Sequence, residues 1–161
     1  MLPETTLHEA ESLLAACRSR GIMVATAESC TGGLIVAALT AIGGSSDVVD
    51  RGFVTYSNDA KNQMIGVPMA LIEGHGAVSG QVAAAMAEGA LTRSRAAIAV
   101  SVTGVAGPAG GSAEKPVGLV WFGLARAGAP VITERQVFPG DRTAIRAATV
   151  AYAFKMIRAA L

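Results

Sequence analysis

Five short apolar runs, at residues 22–27, 48–56, 97–103, 117–125 and 131–138, alternate with stretches of helical spacing. Runs of that length bounded by turn residues read as strands, and the order in which they alternate with helices constrains the fold more than any single motif. The first helical stretch opens on a capping box, Thr6 with Glu9, carries Leu7, Ala10, Leu13, Leu14 and Cys17 at helical intervals, and stops at Gly21. A second covers 34–42 and ends at Gly43 and Gly44; a short third, capped by Asn58 or Asp59, carries Lys61 and Met64 and stops before Gly66 and Pro68. A fourth covers 79–92. The last is capped by Asp141 and places Ile145, Ala148, Tyr152 and Met156 on one face. The order α-β-α-β-α-α-β-β-β-α predicts a layered α/β/α domain with a mixed, mostly parallel sheet, closed by an antiparallel pair of strands. At 161 residues, the length suits one domain over 1–161.

Composition excludes several classes of function. The net charge is +1 and no Lys/Arg stripe is present to neutralise a run of phosphates, so a nucleic-acid partner is not expected. The mean hydropathy of +0.47 is high, yet no uninterrupted apolar run reaches the ~20 residues of a spanning helix, so no membrane partner is expected either. Arg126 and Pro130 interrupt the apolar stretch that begins at Val117. Abundant alanine suits helices packed closely on a sheet and a homodimer or larger homo-oligomer. The start of the chain has no charged and then apolar leader, and the expected location is the cytoplasm. Cys17 and Cys30 form neither a zinc pattern nor a disulfide framework, and His8 and His75 make no ligand cluster, so no metal or cofactor is expected.

Two turns can carry chemistry. Ser29 follows a strand and opens the turn Ser29-Cys30-Thr31-Gly32-Gly33 before a helix. Its hydroxyl either caps that helix or stands as a nucleophile beside free helix amides, and the turn alone leaves both open. Ala27 and Thr31 flank it where a nucleophile elbow has glycines, and neither histidine lies in a segment resembling a catalytic loop, which disfavours a Ser-His-Asp triad. A serine without histidine needs another base, and Lys61 is the residue to weigh, although a lone helical lysine is ordinarily a solvated charge. Tyr56 is ordinarily a strand-edge residue, and the Cys30 thiol is a rival nucleophile that is more commonly buried and inert. The second turn runs from Gly104 through Gly107 and Gly110 to Ser112 and is dense enough in glycine for its amides to approach a phosphate. Neither turn completes an ATP or dinucleotide fingerprint.

Five segments, 28–33, 51–58 with Lys61, 103–112, 115–118 and 140–142, together resemble the CinA C-terminal-domain family, the nicotinamide-nucleotide amidases, in its stand-alone form. The resemblance covers the chain from about Leu7 to the closing helix. It implies hydrolysis of the carboxamide of nicotinamide mononucleotide to nicotinate mononucleotide and ammonia, without a metal, in pyridine nucleotide recycling. It also implies Ser29 as nucleophile, Lys61 as base and Tyr56 in support. Thr103 stands where many members have serine, so the hydroxyl is kept.

The expected chemistry is attack by Ser29 while Lys61, directly or through Tyr56, takes its proton, with amides near Cys30 receiving the oxyanion. Candidate oxyanion or substrate contacts are Cys30, Thr31, Gly32, Gly33, Thr103, Gly104, Gly107, Gly110 and Arg142. The phosphate anchor is sought in the second turn, at Gly32 and Gly33, or at Arg142. Two other readings stand beside this one: a catalytically silent nucleotide-binding or interaction module, and an enzyme that attacks through Cys30.

Overall fold

A computed structural model describes residues 2–161. The elements are helix α1 (Glu4–Ser19), strand β1 (Val24–Glu28), helix α2 (Leu34–Thr40), a 3₁₀ turn (Ser45–Asp47), β2 (Val49–Val54), α3 (Asn58–Ile65), α4 (Met69–His75), α5 (Gly80–Thr92), β3 (Ile98–Gly104), β4 (Leu119–Arg126), β5 (Ile132–Val137) and α6 (Arg142–Ala159). The five strands form one sheet in the order β2-β1-β3-β4-β5. β1 pairs in parallel with β2 and β3, whereas β4 runs antiparallel to both β3 and β5. Four strands therefore share a direction and β4 opposes them, which is the mixed, mostly parallel α/β sheet that the element order predicts.

Burial follows the strand period. β1 is buried along its whole length, as a central parallel strand covered on both faces should be, while edge strand β5 alternates exposed and half-buried residues. Val24, Ile98, Val100 and Val102 point into one core with α1, α2 and α6; Ala25, Ala27 and Ala99 point into the other, with α3, α4 and α5. The same alternation continues to the end of β1 and sends Glu28 and Ser29 to opposite faces. Small residues bring α5 close to its neighbours. A Cβ at Gly89 would overlap the Ile65 carbonyl oxygen, and one at Gly123 would overlap that of Ala83.

Several local readings differ from the structure. α1 starts at Glu4 behind Pro3, with no side-chain cap, so Thr6 lies inside the helix and no capping box forms. Proline is preorganised for a helix start and wins the boundary. Ser57, not Asn58 or Asp59, caps α3, its hydroxyl accepting from the Ala60 amide at 3.0 Å. Gly66 ends α3 as a left-handed cap, and Pro68 begins α4, an element absent from the expected order. On α6 the buried stripe is wider than expected. It includes Thr149, Val150, Ala153, Phe154 and Ile157 with Ile145 and Met156, while Ala148 and Tyr152 are half-buried, because this helix packs on both α1 and the sheet. Asp141 caps it as expected, accepting from the Ala144 amide at 2.9 Å.

No helix among the described residues is long and apolar enough to cross a membrane.

Candidate active site

The carboxyl ends of β1 and β3 and the segment after β2 meet around a cavity of about 220 Å³, where open α/β sheets place their ligands. Ser29, Cys30, Tyr56, Lys61, Thr103 and Arg142 line it together with Asn58, Ala77, Val78, Gly104 and Ala106. Ser29 leaves β1 on the α3 side. Lys61 reaches it from the first turn of α3.

Lys61 is 1% exposed. Its Nζ donates to Ser29 Oγ at 3.0 Å, to the Thr55 carbonyl at 3.0 Å and to the Tyr56 carbonyl at 3.5 Å. No carboxylate partners it. Burial pushes its pKa below the ordinary lysine value of 10.5, with the neighbouring Cys30 thiol pulling the other way. A desolvated lysine in contact with a buried hydroxyl is the arrangement in which an amine can act as a base. Cys30 is buried, and that burial pushes its thiol up to about 12. A thiol of that kind is a poor thiolate source, which argues against attack through Cys30.

Tyr56 enters the site differently from the expectation. Its ring is 61% exposed, and its phenol oxygen accepts from Arg142 Nη2 at 3.3 Å. The contact from Ser29 to Lys61 is direct, so the proton needs no relay through the phenol. Arg142 also donates from Nη1 to the Gly107 carbonyl at 2.9 Å, tying α6 to the second turn. From the other side, Lys115 Nζ donates to the His75 carbonyl at 2.9 Å. Thr103 commits its hydroxyl within the same wall, donating to the Ala77 carbonyl at 2.8 Å.

The two glycine turns divide the remaining candidates. Thr31, Gly32 and Gly33 do not line the cavity. The Gly33 amide donates to the Glu28 carboxylate at 3.1 Å, the Thr31 hydroxyl donates to it at 2.6 Å, and the Gly32 amide bonds to the Ser29 carbonyl at 3.0 Å. That helix start is already filled by a carboxylate of the chain, and the phosphate anchor sought at Gly32 and Gly33 has no donors left there. Among the described residues, the amides of Cys30 and Thr31 bond to no carbonyl or side-chain oxygen of another residue. Gly107 and Gly110 lie outside the cavity, Gly107 touching it only through its carbonyl on Arg142. A second cavity of about 490 Å³, lined by Pro108, Val117, Gly140, Asp141 and Thr143, shares Ala106 and Arg142 with the first.

Two residues of the site had no assigned role in the sequence. Glu28 appears there only as part of a motif, and Arg146, whose Nη2 donates to the Thr31 carbonyl at 2.8 Å, appears as an ordinary helix residue. Strand alternation through 24–29 is the signal that separates Glu28 from Ser29; nothing local marks Arg146. Among the described residues no group of three or more His, Cys, Asp or Glu side chains is arranged to hold a metal ion.

Known proteins resemble this chain in sequence and in fold. An Escherichia coli protein named nicotinamide-nucleotide amidohydrolase PncC is 54% identical over 142 residues, covering 88% of this chain and 86% of its own. A putative competence-damage inducible protein of Symbiobacterium thermophilum is 48% identical over 163 residues, covering 96% of this chain but only 38% of its own. The crystal structure of the competence/damage inducible protein CihA from Agrobacterium tumefaciens superposes with a TM-score of 0.95 at 52% identity, over 99% of this chain and 97% of that one. Residues 6–161 match the CinA C-terminal domain model, and the chain belongs to that family.

Proposed function

We propose that residues 1–161 act as a single amidohydrolase domain that hydrolyses the carboxamide of nicotinamide mononucleotide, with Ser29 as nucleophile and Lys61 as general base. The observation that carries the mechanism is the 3.0 Å contact between Lys61 Nζ and Ser29 Oγ in a buried setting with no carboxylate on the lysine. The substrate reading is supported by relatives named nicotinamide-nucleotide amidohydrolase at 54% identity.

Neutral Lys61 takes the Ser29 proton as Oγ attacks the carboxamide carbon, and the amide of Cys30, which lines the cavity, receives the developing oxyanion. The C–N bond then breaks as Lys61 returns the proton to the leaving nitrogen. Ammonia departs and a Ser29 ester remains. Water, deprotonated by the same lysine, attacks the ester; nicotinate mononucleotide leaves and Ser29 regains its proton. General-base help of this kind contributes on the order of a hundred- to ten-thousand-fold. No step uses a metal.

The smaller cavity takes the pyridine carboxamide, and the ribose phosphate extends past Arg142 toward the larger one, with the guanidinium as the charged anchor. Exposed Val54 and Met64 suit a homodimer or larger assembly, which sedimentation at working concentration tests. The reading places the enzyme in the cytoplasm with its nucleotide substrate.

The test is incubation of pure protein with nicotinamide mononucleotide in the presence of a chelator. The expected result is ammonia and nicotinate mononucleotide in equal amounts. Binding without turnover would favour a silent nucleotide-binding module, and a metal requirement would contradict the mechanism.

A further inference from the structure

Glu28 is fully buried, sits next to the nucleophile in the chain, and takes no part in the reaction as written. Its carboxylate is saturated. Oε2 accepts from the Thr31 hydroxyl at 2.6 Å and from the amides of Gly33 at 3.1 Å and Ile35 at 2.9 Å; Oε1 accepts from the Val36 amide at 2.9 Å and the Thr26 hydroxyl at 3.1 Å. α2 has glycine at its N-cap position and so no side-chain cap of its own. Glu28 supplies that function from the strand below, meeting the free amides of the first turn with a charged acceptor.

The consequence falls on the intervening chain. Residues 29–33 leave β1 and return to α2, and both ends of that loop are pinned to one carboxylate. Arg146 holds the loop from outside through the Thr31 carbonyl. The loop presents both the Ser29 hydroxyl and Cys30 to the cavity, so its position fixes the nucleophile and the oxyanion donor together. A displacement of about 1 Å in such a constellation can cost on the order of a hundredfold in rate.

We infer that Glu28 is a positioning residue for catalysis, a buried carboxylate that sets the Ser29 turn by bonding Thr31 and the start of α2, with Arg146 as the opposing hold. It touches neither substrate nor the reacting atoms. Its five donors leave it no acceptor capacity for proton transfer, which distinguishes it from a second catalytic acid.

The inference rests on Ser29 being the nucleophile, not on which amide is hydrolysed, and its test is chosen accordingly. A serine-directed fluorophosphonate reports the rate of Ser29 attack independently of the natural substrate. Thr26 and Thr31 are both fully buried and both donate to Glu28, but only Thr31 lies on the nucleophile turn. Thr31→Val is expected to slow labelling about tenfold or more, and Thr26→Val less than about twofold, even where the two lower the melting temperature equally. With nicotinamide mononucleotide, Thr31→Val should lower kcat and leave KM nearly unchanged. Glu28→Gln, which turns an amide NH₂ toward backbone amides that can only donate, should slow labelling by about a hundredfold if it folds. If it does not fold, the threonine pair decides. Equal labelling rates in the two threonine variants, whether both slowed or both normal, would overturn the positioning role. A wild-type protein that the reagent does not label at Ser29 would instead overturn the nucleophile assignment on which the inference rests.

Discussion

The two glycine-bearing turns at the site, residues 29–33 and 104–112, look alike in the sequence and play opposite parts in the structure. Both offer small residues and backbone amides to an anion. In the first, the donors at the start of α2 are spent on Glu28, and only the Cys30 and Thr31 amides remain free beside Ser29. In the second, the chain passes through a cis Gly107–Pro108 bond and is held at its edges by Arg142 and Lys115, leaving a cavity between it and the start of α6. The difference teaches that a glycine turn before a helix is an anion site only if the protein has not already supplied the anion. On the proposed function, the first turn serves chemistry on a neutral carboxamide, and the charged end of the substrate lies near the second.

The strongest way to break this comparison is at the first turn. Ser29→Ala should lower kcat by on the order of a thousandfold or more with the protein still folded, as steady-state ammonia release would show. Lys61→Met should cost a hundred- to ten-thousand-fold in kcat, on the order expected for a lost general base, with little change in KM.

The same lysine predicts two pH dependences. Because the neutral form is the base, wild-type kcat/KM should rise with pH along a limb whose midpoint lies below the ordinary lysine value of 10.5. Between the lowered pKa and 10.5 the unfolded chain binds more protons at Lys61 than the folded one. Stability of the wild type relative to Lys61→Met should therefore increase with pH across that window, measured by denaturant titration at several pH values.

At the second turn the effects should be smaller and fall on binding. Arg142→Met removes a charge-assisted contact and should raise KM by about ten- to a hundredfold, with kcat changing less. Tyr56→Phe keeps the ring and removes only an exposed phenol, so kcat should fall by less than about tenfold. A larger fall in kcat would restore the phenol relay that the direct Ser29–Lys61 contact makes unnecessary. Smallest of all, Cys30→Ala should leave turnover within about threefold while costing about 1 kcal/mol of stability in a thermal or denaturant melt.

The elements that periodicity can report were legible in the sequence. Each of the five strands falls on one of the five apolar runs, passing its end by no more than one residue, and the Asp141 cap was visible because a carboxylate before a helical pattern has one local use. α4 was hidden because Pro68, which reads as a helix stop, starts the next helix instead, and short helices carry too few residues to show a period. At the site, Ser29 and Lys61 were candidates from their residue types, but only a resemblance joined them as a pair, since their relation depends on β1 and α3 meeting across 32 positions in the chain. Glu28 was quoted without a role because strand alternation gives the face it takes but not the helix start that meets it there. Tyr56 and Arg142 were both named, but their contact with one another spans 86 positions and joins elements from opposite faces of the sheet.

The central claim is a covalent Ser29 intermediate, and turnover in the presence of hydroxylamine tests it most directly. An acyl-enzyme offers its ester to hydroxylamine as well as to water. The account predicts that wild-type protein converts nicotinamide mononucleotide partly to the corresponding hydroxamate, and that Ser29→Ala forms neither hydroxamate nor acid. Acid as the sole product at an undiminished rate, or hydroxamate formed by Ser29→Ala, would contradict it.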